Sequence, residues 1–157
     1  MRLVVCTDSR GGMMFNKRRT TYDRCVTEDI LRDADGGKLL IAPYSEKIFR
    51  LALFTDWDEQ PIAAENALSK EALPYTVSDS PLDDAENGDT VFIEDRDTSA
   101  YIGKITEIVI YNWNLTYPYD RQFDIDPTTD GFKLISVNEF PGISHDIITK
   151  SVFSRKK

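Results

Sequence analysis

Apolar residues along this chain come in short runs separated by polar turns, and the spacing inside each run changes from one run to the next. RLVVCT at 2–7 is β-branched and continuous and stops at Asp8-Ser9-Arg10-Gly11-Gly12, the pattern of a buried strand entering a loop. That loop is expected to run to about residue 20. After Thr21, a suitable N-cap, Val26, Ile30, Leu31 and Ala34 recur at helical spacing until Gly36-Gly37, which predicts a helix of roughly three to four turns. LLIA at 39–42 is a second buried strand. Pro43 then opens a helix over 44–54 with Tyr44, Ile48, Leu51 and Ala52 on one stripe.

Residues 55–89 form a variable acidic insertion, rich in Asp, Glu and Ser and punctuated by Pro61, Pro74, Pro81 and Asn87-Gly88; short strands and a helical turn or two are expected within it. Beyond it the pattern sharpens. TVFIE at 90–94 is a strand, 97–104 a short helix and EIVIYNWNL at 107–115 a long strand. An acidic loop, YDRQFDIDPTTDG, leads to FKLISVNEF at 132–140 and HDIITKSVFSR at 145–155, a closing antiparallel pair around Pro141-Gly142. The predicted class is therefore α/β: one domain over 1–157, a largely parallel sheet flanked by helices, with an antiparallel C-terminal hairpin.

Composition narrows the function. Apolar residues at 41% and charged residues at 29% suit a folded globular chain of 157 residues. Cys6 and Cys25 lie in apolar runs without ligand-like spacing, so each is taken as a small buried hydrophobe and a reducing, cytoplasmic setting is expected. Only LVVC separates Met1-Arg2 from the first polar residues, too little for a secretory leader, and no run reaches membrane-spanning length. A net charge of −8 argues against a long nucleic acid as partner. No metal or organic cofactor is expected. The tail Arg155-Lys156-Lys157 is read as a solvated end.

Against that acidic balance, GGMMFNKRRTTYDR at 11–24 gathers Lys17, Arg18, Arg19 and Arg24. Gly11 and Gly12 permit a tight path with exposed N–H groups, and a helix starting after Thr21 presents unpaired donors and a positive dipole end. Arg18 and Arg19 supply planar forks for phosphate or carboxylate, although neighbours in extended chain point opposite ways and one of the two would reach a given ligand. Asn16 adds a neutral donor and acceptor and Tyr22 a stacking face. Asp8 ends the first strand, where α/β sheets place ligand contacts. Asp8, Gly11, Gly12, Asn16, Arg18, Arg19, Thr21, Tyr22 and Arg24 are thus the candidate binding set for a small anionic, nucleotide-like ligand; no catalytic residue is assigned. The competing reading is a basic loop that pairs with some of the 27 Asp and Glu residues. Tyr111, Trp113, Tyr117 and Tyr119 could stack a planar ring, with core packing the favoured role. His145 is expected near the start of the last strand, partly exposed.

The layout resembles dihydrofolate reductase. LVVCTD, RGGMMFN, the helix after Thr21, KLLIA and YSEKIF are similar to that family's first strand, Gly-containing loop, helix, second strand and following helix. VFIED, TSAYIGKI, EIVIY and DIDPTTDGFKLISVNEF resemble its cofactor-binding strand, short helix, next strand and C-terminal hairpin. The resemblance implies the family's fold, and three departures, two at its cofactor contacts and one in its substrate loop, argue against reductase activity with a nicotinamide cofactor. Glu94-Asp95 stands where the family has the Gly-Gly pair that lets backbone approach a pyrophosphate; Ala42-Pro43-Tyr44-Ser45 stands for its Gly-Arg-x-Thr turn; Lys17-Arg18-Arg19 replaces Leu-Pro-Trp. Glu28 or Asp29 alone could stand near its helix carboxylate. The opening, VVCTDSRGGMMFNKRRTTYDR, also resembles small bacterial and phage proteins labelled ribonuclease Z, an activity whose zinc needs clustered histidines that one His145 cannot supply.

The expected function is therefore a non-enzymatic protein that sequesters or senses a small nucleotide-like ligand, a role found among phage and mobile-element proteins. The alternatives are a divergent enzyme of the same fold acting on a nucleotide or pterin-like substrate, and an acidic protein-interaction module using 55–89. Self-association is compatible with the sequence, which offers no isologous face.

Overall fold

The computed structural model describes residues 1–55 and 73–156. Its element order is β1 (Arg2–Thr7), β2 (Gly12–Phe15), β3 (Arg18–Arg19), α1 (Arg24–Asp33), β4 (Leu39–Ile41), a 3-10 turn over Pro43–Ser45 leading into α2 (Glu46–Phe54), β5 (Thr76–Val77) and α3 (Pro81–Asp84). Then follow β6 (Thr90–Phe92), a 3-10 helix over Ser99–Lys104, β7 (Glu107–Asn112), β8 (Arg121–Gln122), β9 (Phe132–Phe140) and β10 (Ile148–Arg155). Seven strands form the main sheet in the order β5-β4-β6-β1-β7-β10-β9. All neighbours from β5 to β7 run parallel, and β10 runs antiparallel to both β7 and β9.

The central strands explain their own sequence. Leu3, Val4 and Val5 of β1 are all buried because α1 and α2 cover one face of the sheet, while α3, the 3-10 helix and the 120–132 segment cover the other. Val4, Ile41, Phe92 and Val109 face the first layer and meet Val26 and Ile30 of α1 and Ile48 and Phe49 of α2. Leu3, Val5, Leu40, Val91 and Ile108 face the second, against Leu82, Ile105, Ile125 and Phe132. This is the α/β class expected from the run spacing, with β1 and β9 ending where the pattern put them.

Three local expectations are corrected. The loop expected up to residue 20 contains a hairpin: Phe15 pairs with Arg18 and Met14 with Arg19, and Asn16 and Lys17 turn the chain at φ 51° and 63°. Two successive left-handed residues are what a two-residue hairpin of right-twisted strands requires, and Asn is a tolerant residue there. The N-cap of α1 is Asp23, whose carboxylate accepts the N–H of Cys25 at 2.9 Å, in place of Thr21. Cys6 and Cys25 are free and half-buried rather than fully enclosed. Part of the acidic insertion, residues 56–72, lies outside the described residues; the described remainder supplies β5 and α3.

Candidate functional site

Asp23 organises the cleft at the C-terminal end of the sheet. Its carboxylate, fully buried, accepts the N–H of Cys25 (2.9 Å), Ile143 (3.1 Å) and Ser144 (2.9 Å) and bonds Nδ1 of His145 (2.9 Å). Burial would raise its pKa, yet the bonds from His145, Ile143, Ser144 and Cys25 hold it below the usual carboxylate range. His145 stacks on Trp113, centroids 4.6 Å apart and planes 25° from parallel, while its Nε2 lies 3.2 Å from the Thr21 hydroxyl. The expectation of a partly exposed histidine is thus corrected: His145 is 5% exposed and fastens the 141–146 loop to the start of α1. Gly142 is required there, because a Cβ would overlap the Asp23 carboxylate. The last strand accordingly begins at Ile148 rather than 145.

This latch sets one wall of a cavity of about 180 Å³. Tyr22 and Arg24 enter it from the start of α1, Ile48, Leu51 and Thr55 from α2 and its end, and Ser144 from the latched loop. Arg24 stays in place through bonds to Glu28 (2.9 Å) and to the carbonyls of Ala52 (3.0 Å) and Thr55 (2.6 Å). Deeper, a smaller hollow of about 20 Å³ shares Tyr22 and Ile48 and reaches Cys6, Thr21, Glu94 and Trp113 at the ends of β1, β6 and β7. Burial and the nearby Glu94 carboxylate push the Cys6 thiol well above its ordinary value, so it remains protonated.

Beside this opening the molecule is closed by an ion pair. Arg19 donates from Nε and Nη2 to the two oxygens of Glu94, each at 2.9 Å, and its guanidinium lies 4.6 Å from the centre of the Tyr44 ring. Ser45 Oγ donates to the same carboxylate at 2.6 Å, and the Arg19 backbone N–H donates to the Tyr44 hydroxyl at 2.9 Å. Glu94 is 5% exposed. Paired, bidentate and hydrogen-bonded, it meets the conditions under which a carboxylate can be buried.

The candidate set from the sequence is divided by this geometry into four places. Asp8, Gly11 and Gly12 shape the turn between β1 and β2: the Asp8 carboxylate accepts the N–H groups of Arg10, Gly12 and Tyr117, and a Cβ on Gly12 would overlap the Tyr119 ring. The expectation that Asp8 faces a ligand gives way to a buried carboxylate saturated by backbone donors. Asn16 and Arg18 sit exposed on the hairpin, where Asp120 accepts the Asn16 N–H at 3.0 Å. Arg19 belongs to the closed cluster. Only Thr21, Tyr22 and Arg24 reach the cavities. Of the aromatic set, Tyr111 is core and donates to Asp29 at 2.5 Å, and Trp113 is both core and cavity floor. Glu28 pairs with Arg24, and Asp29 also accepts from Lys150 at 2.8 Å, so both helix carboxylates are engaged. Among the described residues no three His, Cys, Asp or Glu side chains converge as a metal site.

No protein-family model and no curated protein matches the sequence. Among solved structures, the dihydrofolate reductase from Enterococcus faecalis, complexed with NADP(H) and RAB-propyl, is similar over 100% of this chain and 97% of its own, with a TM-score of 0.58 at 9% identity. The chain has a dihydrofolate reductase-like fold. At that identity the likeness concerns the fold alone, and the three sequence departures gain a spatial meaning. Segments 17–19, 42–45 and 94–95 are far apart in sequence, yet Arg19, Tyr44, Ser45 and Glu94 form one cluster. Asp23, His145 and Ser45 were not singled out as functional in the sequence. A signal for Asp23 existed, since an Asp directly before the first helical residue fits an N-cap as well as Thr21 does. None existed for His145, whose partner is 122 residues away.

Proposed function

We propose that this chain is a binding protein for a small planar ligand carrying an acidic group, of the pterin or nucleotide kind, held in the cleft between α1 and α2. The observation that carries the reading is the cavity lined by Tyr22, Ile48, Leu51, Arg24, Thr55 and Ser144: an aromatic-edged hollow with an apolar floor and one guanidinium and the hydroxyl residues Tyr22, Thr55 and Ser144 in its wall, at the end of the sheet where α/β folds take ligands. A ring would lie on Ile48 and Leu51 beside Tyr22, with its anionic group toward Arg24 and Ser144. The site thereby shifts from Arg18 and Arg19, favoured in the sequence, to Arg24. The reading assigns no nicotinamide cofactor, because a carboxylate, Glu94, held by Arg19, occupies the position where the resemblance implies glycine backbone against pyrophosphate. The solved reductase of this fold carries NADP(H), so the contrast can be tested directly.

The test is thermal unfolding of the full chain with adenosine monophosphate, pterin-6-carboxylate and NADPH. A ligand at about 100 times its Kd stabilises by about 2.7 kcal/mol. One of the first two should raise the melting temperature, NADPH should not, and Ser144→Trp, which fills the cavity, should abolish the rise. No shift with any of the three, or a shift unchanged in Ser144→Trp, overturns the reading. Oxidation of NADPH in an absorbance assay with a pterin would move the protein to the enzyme class instead.

A further inference from the structure

The two edges of the main sheet differ. One is β5, two residues long; the other is β9, nine residues long, and among the described residues no strand pairs with its outer side. A long free edge exposes a row of backbone N–H and C=O groups and is ordinarily shortened, charged or covered. Here it carries three half-exposed apolar residues in a row of four: Leu134 at 47%, Ile135 at 55% and Val137 at 50%.

We propose that β9 is the isologous interface of a homodimer, in which two copies pair β9 antiparallel about a two-fold axis into one continuous sheet. Charge selects a second copy as the occupant. The chain carries a net charge of −8, but FKLISVNEF holds one Lys and one Glu, so this edge can approach its own copy without the repulsion that opposes contact elsewhere. Lys133 lies near one end and Glu139 near the other; antiparallel pairing brings unlike charges to each end, whereas parallel pairing sets like on like. The strand also carries a register device. Val152 pairs with Ser136 and Phe153 with Leu134, leaving Ile135 as a β-bulge. The extra residue puts Leu134 and Val137 on the same face, beside Phe153 and Ser151 of β10. Pairing about the bulge therefore sets Leu134 of each copy against Val137 of the other, with the two-fold axis passing between Ile135 and Ser136. At about 3.3 Å per residue the paired edge is roughly 30 Å long.

Light scattering coupled to size exclusion, on the full chain over 5–200 µM, should give twice the chain mass at the upper end. Val137→Lys and Leu134→Lys should each raise the dissociation constant at least tenfold. Both sites are half-exposed, so their melting curves, taken under conditions where the chain is monomeric, should match the parent. For the register, Leu134→Cys copies mixed with Val137→Cys copies should form a disulfide-linked pair under mild oxidation more readily than Leu134→Cys alone. A monomer across the whole range, a dimer indifferent to both Lys variants, or cross-linking without preference for the mixed pair overturns the proposal.

Discussion

Two neighbouring regions at the C-terminal end of the sheet solve opposite problems. Around Glu94, four polar or charged side chains satisfy one another so fully that a buried carboxylate is tolerated and the space is closed. Around Tyr22, a cavity of about 180 Å³ stays open between the start of α1 and the Ile48–Leu51 face of α2, and Asp23 holds its far wall in place. The contrast teaches that a site's chemistry depends less on which charged residues are present than on whether their paired side chains fill the space between elements or border an opening. Arg19 and Arg24 looked alike in sequence, and each takes a protein carboxylate, Glu94 and Glu28 respectively, but of the two it is Arg24 that lines the open cavity.

The largest effect is expected from breaking the latch. Asp23→Ala leaves three backbone N–H groups and the His145 imidazole without their acceptor, which should cost about 3–5 kcal/mol by urea unfolding and abolish any ligand-induced stabilisation. Acid probes the same element. Despite burial, Asp23 is held low by His145 and backbone N–H groups, Asp29 by Lys150 and Tyr111, and Asp124 by Thr98 and Ser99. Folded values below the unfolded ones mean their contribution is complete above the ordinary carboxylate range and lost as pH falls through the folded values. Unfolding midpoints should therefore be flat near neutrality and drop below about pH 4, with the drop smaller in Asp23→Asn.

Next in size is the closed side. Glu94→Ala strands the partly buried Arg19 and should cost about 2–3 kcal/mol, and Arg19→Met together with Glu94→Leu should recover most of that loss, measured as a double-mutant cycle. If the double variant also gained affinity for NADPH, closure by charge would be the barrier to the dinucleotide. On the open side, Ser144→Trp should change stability by under about 1 kcal/mol while removing the ligand response. Smallest of all, Arg18→Ala on the exposed hairpin should stay within about 0.5 kcal/mol and leave binding unchanged; a lost ligand response there would return the site to the hairpin.

Much of the fold was legible because its signals are local. The continuous apolar runs at 2–7 and 39–42, the helical spacing after Thr21 and the apolar pattern at 107–115 each reflect what their own neighbours must bury. The hairpin at 12–19 was missed because Gly-Gly-Met-Met-Phe has no alternation, and its turn uses Asn16-Lys17 in place of the common Asn-Gly pair. The candidate site was legible in part. Thr21, Tyr22 and Arg24 lie at a helix start, where the local argument holds, whereas Asp8 and Arg19 took partners 109 and 75 residues away.

By itself the sequence determined the class, the strand and helix spacing, the scarcity of histidine and the carboxylate pair at 94–95, because each depends on residue type and near neighbours. Only the tertiary structure decided that Arg19 is paired with Glu94, that His145 is buried against Trp113, where a cavity remains and which strand is left at an edge. Those outcomes depend on distances between residues far apart in the chain, and a charge acquires its role only when the fold supplies or withholds its counter-charge.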